Sequence, residues 1–291
     1  MDILQLLDKH GIEYRKTGKN ISNKWIGICC PFCLDSGFHG GFTTTKPLRY
    51  SCWRCDNKNP IFTLSKILPL PYNTIHQIVN EDIDSIIISK LQIGIKPFCF
   101  PDYCNKMTNR HKKYLEGRNF DPDFLEKKYK LLGTSHLGDY CHRIIAPIFI
   151  NQKAVSYQGR DIANKSKMRY KACATEYEII HHKHILYNLD NAQKDNVVVV
   201  EGITGTWRLG DNSVCTFGVK YTSEQALLLC KFKKVFVFFD TDDGGIGQEQ
   251  SERLRSFLNT YGVKTVNITT DKNKDSGSIS NEDAKEIMKS I

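Results

Sequence analysis

Two cysteine pairs, Cys30-Pro31-Phe32-Cys33 and Cys52-Trp53-Arg54-Cys55, constrain the fold of this chain more than any other feature, because each is a CxxC knuckle and eighteen residues separate them. That spacing is the spacing of a four-thiolate zinc site, in which each knuckle gives two sulfurs to one tetrahedral ion. Gly37, Gly40 and Gly41 lie between the knuckles and let the chain turn back as a ribbon. Cys29 and His39 are spare candidates for one ligand position. A closed Zn²⁺ site of this type offers no open coordination position, so the metal folds and presents the segment and does no chemistry itself. Of the eleven cysteines, five fall within residues 29–55 and the others are scattered singly in apolar contexts. A disulfide framework would be spread differently, and singles such as Cys215 and Cys230 read as small buried hydrophobes.

A chain of 291 residues is too long for one average domain and predicts at least two. Asp2 is placed to cap a first helix whose apolar Ile3, Leu6 and Leu7 share a face, and Gly11 ends it. Apolar spacing resumes over 61–70 until Pro69 and Pro71 interrupt it. Residues 72–104 show no clear period and read as linker plus local structure. From Lys112 to Leu132 the pattern is helical, broken at Asp121 and Pro122, which predicts two short helices. Ile144 to Ile150 and Ala154 to Gln158 read as a strand pair around Asn151, Gln152 and Lys153. Beyond Asn196, short β-branched runs (197–200, 214–217, 235–239, 263–268) alternate with segments of helical composition. That alternation predicts an α/β fold, a parallel sheet covered by helices. The expected division is a zinc-ribbon domain over 1–68, a linker over 69–104, a mixed α+β basic segment over 105–195 and the α/β domain over 196–291.

Charge follows the same division. The net charge is +9, but residues 1–68 carry ten basic and five acidic side chains, residues 96–194 eighteen and ten, and residues 195–291 reverse to twelve and fourteen. Lys and Arg neutralise phosphates whereas carboxylates attract Mg²⁺, so phosphate contact is expected in the first two regions and cation coordination in the third. In the zinc segment Tyr50, Trp53 and Phe42 interleave with Lys46, Arg49, Arg54 and Lys58, a pattern suited to bases stacking on aromatics while cations follow the backbone of single-stranded DNA, with core packing the expected fate of at least one of those aromatics. No run approaches the roughly twenty apolar residues of a membrane helix, and the start of the chain lacks the profile of a secretion signal. The expectation is a soluble cytoplasmic protein with no membrane partner.

Glu201 directly follows the run Val197 to Val200, and Asp240 and Asp242 follow Val235 to Phe239. Carboxyl ends of parallel strands form the ligand-binding edge of an open α/β sheet, so these carboxylates are expected to converge. Such a cluster repels itself unless a divalent cation is shared, and Mg²⁺ or Mn²⁺ held between carboxylates and substrate phosphates is the usual outcome for phosphoryl chemistry. Gly202, Gly244, Gly245 and Gly247 allow close backbone approach at this edge. Asp275 is a further candidate ligand, and Asp243 adjoins the pair.

These residues resemble the Toprim domain, with Glu201-Gly202 as its first motif, Asp240-Thr241-Asp242 as its second and Lys274-Asp275 as a looser third. The likeness extends upstream to the catalytic core of DnaG-type bacterial and phage primases. Tyr114-Leu115 to Arg118 with Phe124 to Tyr129, His142-Arg143 to Phe149, Gln158-Gly159-Arg160, Arg169-Tyr170, and Lys183 before Leu186-Tyr187 occur in the family's order. The N-terminal cysteines are similar to the zinc-binding domain that precedes this core, so the resemblance covers most of the chain outside 69–104. It implies a DNA primase, a nucleotidyltransferase making short RNA from ribonucleoside triphosphates on single-stranded DNA, in the cytosol of a bacterium or a phage-infected host. It implies Glu201, Asp240 and Asp242 as catalytic metal ligands, and Arg143, Arg160, Arg169 and Lys183 as contacts to template or nucleotide phosphates. Two departures stand out: Gly205 and Thr206 occupy positions where the family often has an acidic residue, and the zinc ligands are all cysteine where bacterial relatives commonly include a histidine. The smaller phage enzymes are the closer pattern. Nothing resembling GxxxxGK[ST] occurs, so unwinding is expected from a separate replicative helicase. A Toprim-type nuclease and a non-catalytic zinc-ribbon accessory of replication are the alternative readings.

Overall fold

The computed structural model describes residues 2–34, 36–90, 98–164, 166–193, 195–241, 244–269 and 275–291, with 82–90 described by their backbone alone. Asp242, Asp243 and Lys274, three of the residues singled out above, lie outside the described residues. By internal contact the chain divides into two compact units, one of Met1–Lys90, Ala226–Val235 and Glu252–Val266, the other of Leu91–Gln225, Phe236–Ser251 and Asn267–Ile291.

The chain opens with α1 (Ile3–Lys9), whose N-cap Asp2 accepts the Leu4 N–H at 2.9 Å. A four-stranded antiparallel meander follows, β1 (Trp25–Ile28), β2 (Gly40–Thr43), β3 (Tyr50–Cys52) and β4 (Asp56–Lys58), paired in sequence order. The register sets Gly40 opposite both Ile28 and Cys52, which brings the segment carrying the first knuckle beside the second. Asn59 caps α2 (Pro60–Ile67), with Pro60 in the first turn where its missing N–H costs nothing. Leu7, Ile26, Phe42, Tyr50 and Leu64 build the core here. Phe42 and Tyr50 have no exposed surface, so core packing takes two of the three aromatics: β2 is buried on both faces, and Tyr50 is an inward residue of β3. Tyr72–Lys90 form α3, a 19-residue helix in the stretch read as lacking a period. Its first turns are anchored by Ile75 and Val79, buried four residues apart, too sparse a stripe to stand out in sequence.

The second sheet has the order β5 (Cys104–Asn105), β6 (Leu132–Thr134), β7 (Arg143–Ile150), β8 (Lys153–Asp161), β9 (Tyr170–Ala172), with α4 (Asn109–Glu116) and α5 (Pro122–Tyr129) between β5 and β6. The β7–β8 hairpin turns on Asn151 and Gln152, both at positive φ (50° and 63°), the backbone of a two-residue type I′ turn. Asp190 supports it by accepting both turn N–H groups, at 3.2 and 2.8 Å.

The remaining elements are β10 (Asn196–Val200), α6 (Ile203–Leu209), β11 (Ser213–Cys215), α7 (Ser223–Leu229), β12 (Lys234–Phe238), α8 (Ile246–Thr260), β13 (Lys264–Asn267) and α9 (Asn281–Lys289). The four strands form one sheet of order β11-β10-β12-β13, and β10 and β11 run parallel, as the βα alternation requires. Val197 to Val200 are fully buried, and Cys215 and Cys230 are buried without a disulfide. Among the described residues, no helix is long and apolar enough to cross a membrane.

Candidate active site and zinc centre

The four knuckle cysteines meet. Cys30 and Cys55 sulfurs are 3.6 Å apart and those of Cys33 and Cys52 are 3.8 Å apart, all four lying within 4.8 Å of one another. Four sulfurs at about 2.3 Å from a tetrahedral zinc are separated by about 3.8 Å, so the set fits that ion without rearrangement. Cys29 is exposed, and neither it nor His39 belongs to the group. The Arg54 N–H donates to Cys52 Sγ at 3.4 Å, the kind of outer contact that steadies a ligating thiolate. Burial pushes the Cys30 thiol up, but the Tyr50 hydroxyl and the N–H groups of Cys33 and Phe32 outweigh it and bring the group down to about 6. Burial and the neighbouring cysteines push Cys55 up to about 12.

In the same segment a cavity of about 240 Å³ is lined by Trp25, Trp53, Gly27, Gly40 and Gly41 among others. Trp53 is 73 % exposed, with its indole N–H fixed to the Asn20 carbonyl at 2.9 Å. The Arg49 guanidinium lies over the Trp25 ring at 5.8 Å, and Arg54 is exposed.

The acidic residues form the second site. Glu201 follows β10 and Asp240 lies two residues beyond β12; Glu201 Oε1 accepts the Asp240 N–H at 2.8 Å. Asp240 Oδ1 in turn accepts the Ser276 N–H at 3.3 Å, which brings in the segment that starts at Asp275. Gly247, in the first turn of α8, passes so close that a Cβ there would overlap the Asp240 carbonyl. Glu201, Asp240 and Asp275 line one cleft of about 230 Å³, together with Arg118, Arg160 and Arg169. Arg160 is held in place: its Nε donates to the Tyr114 hydroxyl at 2.8 Å and its guanidinium stacks on Tyr170 at 4.6 Å. Tyr170 is fixed in turn by a 3.0 Å bond between its hydroxyl and that of Thr204. Carboxylates and guanidinium groups thus share a small polar cleft, donors of the kinds that can hold a divalent cation and phosphate oxygens. Among the described residues, the three carboxylates do not gather into a compact metal-ligating group.

No family model matches the sequence, and no curated protein is similar to it. Among solved structures the chain is similar to the zinc-binding and RNA polymerase domains of the Aquifex aeolicus primase, at a TM-score of 0.53 and 16% identity over all of this chain and 83% of that one. The fold is a primase fold. Weaker likenesses join it to the DnaG catalytic core (TM-score 0.45, 19% identity, 76% of this chain and 73% of that one) and to the RNA polymerase domain of Mycobacterium tuberculosis primase DnaG (0.44, 15%, 75% and 76%).

Within this primase fold, two of the expected phosphate contacts are used internally. Arg143 is 4 % exposed, and its guanidinium donates to the carbonyls of Gly159 and Met168 and to Ser166 Oγ at 2.9–3.2 Å, so it builds the loop that carries Arg169. Lys183 Nζ donates to the carbonyls of Thr216, Phe217 and Lys220 at 3.0, 3.0 and 2.8 Å, and burial pulls its pKa down. It straps the loop bearing Phe217 and Gly218, which line the cleft. Arg118, Gln158 and Thr204 also line the cleft and were not assigned a role from the sequence, although Gln158 stands in the family-like stretch Gln158-Gly159-Arg160. Arg118 had a partial signal, standing at the end of a segment noted for family likeness.

Proposed function

We propose that this chain is a template-directed DNA primase, a metal-dependent nucleotidyltransferase that makes short RNA on single-stranded DNA in the cytosol. The observation that carries this reading is the cleft of Glu201, Asp240, Asp275, Arg118, Arg160 and Arg169 in a primase fold. The reaction joins a ribonucleotide 3′-hydroxyl to the α-phosphate of an incoming ribonucleoside triphosphate, and pyrophosphate leaves. Glu201, Asp240 and Asp275 would hold Mg²⁺ or Mn²⁺, with Asp242 as a further Toprim-type ligand; the cation supplies charge neutralisation at the reacting phosphate. Arg160, immobilised by Tyr114 and Tyr170, presents a preorganised charge to triphosphate or template, and Arg169 and Arg118 extend that wall. Thr204 and Tyr170 keep the base of the cleft in register.

The zinc module holds the template. A cavity lined by Trp25, Trp53 and glycines accepts a flat base, while Arg49 and Arg54 follow the phosphates. Trp53→Ala is expected to weaken single-stranded DNA binding roughly 5- to 150-fold, since a base stacked on an aromatic contributes about 1–3 kcal/mol. Fluorescence anisotropy with a labelled oligonucleotide measures it, and an unchanged affinity would remove the stacking assignment. A replicative helicase would supply the single-stranded template.

The decisive assay supplies single-stranded DNA, Mg²⁺ or Mn²⁺ and labelled ribonucleotides. Template-dependent label in alkali-sensitive oligomers, with the DNA left whole, is the expected result. Degradation of the DNA without such products establishes the nuclease alternative, and neither product nor degradation favours the zinc-ribbon accessory.

A further inference from the structure

Apart from both sites, the segment after β9 gathers another set of metal-ligating side chains. Glu178, His181 and His182 each present a ligand atom within 4.8 Å of the others. Glu178 is 6 % exposed, and its Oε2 accepts from Ser156 Oγ at 2.6 Å and from the His182 N–H at 3.2 Å. Its Oε1 is buried with no hydrogen-bond partner, as is Nδ1 of His182. His181 Nε2 stands 3.7 Å from Glu178 Oε1, and His182 Nδ1 stands 3.5 Å from Oε2. These separations are too long for good hydrogen bonds. One runs to each carboxylate oxygen, and one ligand atom from each residue lies within 4.8 Å of the others, within reach of a single ion that each would approach to about 2.0–2.1 Å. A buried carboxylate oxygen and a buried imidazole nitrogen without partners are costly, and one shared cation satisfies both.

We infer that Glu178, His181 and His182 form a second metal site, a two-histidine, one-carboxylate set for a borderline divalent cation such as Zn²⁺ or Co²⁺, with the remaining position open to water. Imidazole ligands select against Mg²⁺, which separates this site from the acidic cleft. One hydrogen bond opposes occupancy: the Lys183 N–H donates to His181 Nδ1 at 3.2 Å, which places the ring proton on Nε2. A metal on Nε2 moves that proton to Nδ1 and releases the bond, so occupancy acts on the His182–His184 turn. The same turn carries Lys183, whose ammonium straps the carbonyls of Thr216, Phe217 and Lys220. His182 also packs edge-on against Phe217, at 5.6 Å between ring centroids, and Phe217 lines the acidic cleft. The second metal thus lies one side chain behind a wall of that cleft.

The test titrates full-length protein, with its cysteine site filled by zinc, against Co²⁺ and reads the visible spectrum. One added equivalent with weak d–d bands and no thiolate-to-cobalt charge transfer is expected. Glu178→Gln and His182→Ala should each abolish those bands while the cysteine-bound zinc is retained. If Glu178→Gln does not fold, His181→Ala carries the test, because that imidazole is 38 % exposed and its loss removes only its ring contacts with His182 and His184 and the bond from the Lys183 N–H. Absence of the bands in the parent protein, or their persistence in the His181→Ala/His182→Ala double variant, overturns the site. The spectrum is independent of primer synthesis, so the outcome stands whatever reaction the cleft performs.

Discussion

Asp240→Asn is expected to lower ribonucleotide incorporation by at least about a hundredfold while leaving single-stranded DNA affinity nearly unchanged. Asparagine keeps the shape of the side chain, and its carbonyl oxygen still accepts the Ser276 N–H that Asp240 Oδ1 accepts at 3.3 Å. The loop from Asp275 therefore stays in place and only the negative charge is lost. A carboxylate that holds a cation opposes contact with phosphates when the cation is gone, so neutralising it should not weaken DNA binding and should slightly strengthen it. Incorporation and anisotropy measured on one preparation separate the two effects. Activity above about a tenth of the parent rate would remove Asp240 from the metal-holding set, because electrostatic stabilisation of this kind is worth several kcal/mol.

Removing the zinc is expected to have an equally large effect of a different sort. Zinc binding by small thiolate sites is worth about 10–16 kcal/mol near neutral pH, comparable with the whole stability of an average domain. Cys30 and Cys52 are each 2 % exposed, and β1 to β4 are short strands of three or four residues around them. Without the ion, four clustered thiols replace a closed cage. Cys52→Ser should lower zinc content by one equivalent, and chelation should erase amide protection in β1, β2 and β3 while β10 and β12 stay protected. Hydrogen exchange followed by mass spectrometry reads both regions at once. Freshly purified protein with less than half an equivalent of zinc, or protection in β1–β3 that survives chelation, would mean an inert cysteine cluster.

The parts of the fold that the sequence made legible were those fixed by local chemistry. Knuckle spacing located the zinc ligands, the caps Asp2 and Asp121 located helix starts, and the run Val197 to Val200 located a buried strand together with the carboxylate at its end. What stayed hidden depended on distant partners. Arg118 is placed at the cleft with its carbonyl held by Arg208 at 2.7 Å, ninety positions away in the chain. Arg143 and Lys183 looked like surface cations, yet each is surrounded by carbonyls from loops whose paths no local pattern announces. Phe42 and Tyr50 interleave with cations as the exposed Trp53 does, and the burial of β2 on both faces and of the Tyr50 side of β3 sends them inward. Asp242 and Asp243 lie outside the described residues, and Glu201, Asp240 and Asp275 line the acidic cleft.

The close passage of Gly247 past the Asp240 carbonyl sets a limit on how this protein can diversify. Any side chain at 247 must push α8 away from the strand end that carries Asp240, since its Cβ would overlap the Asp240 carbonyl oxygen. No single substitution relieves that crowding, since the obstructing atom is main chain. Position 247 therefore behaves in a mutational scan like a carboxylate ligand although it offers no functional group, and lineages descending from this chain are expected to vary the arginine wall, residue by residue, long before they vary this glycine.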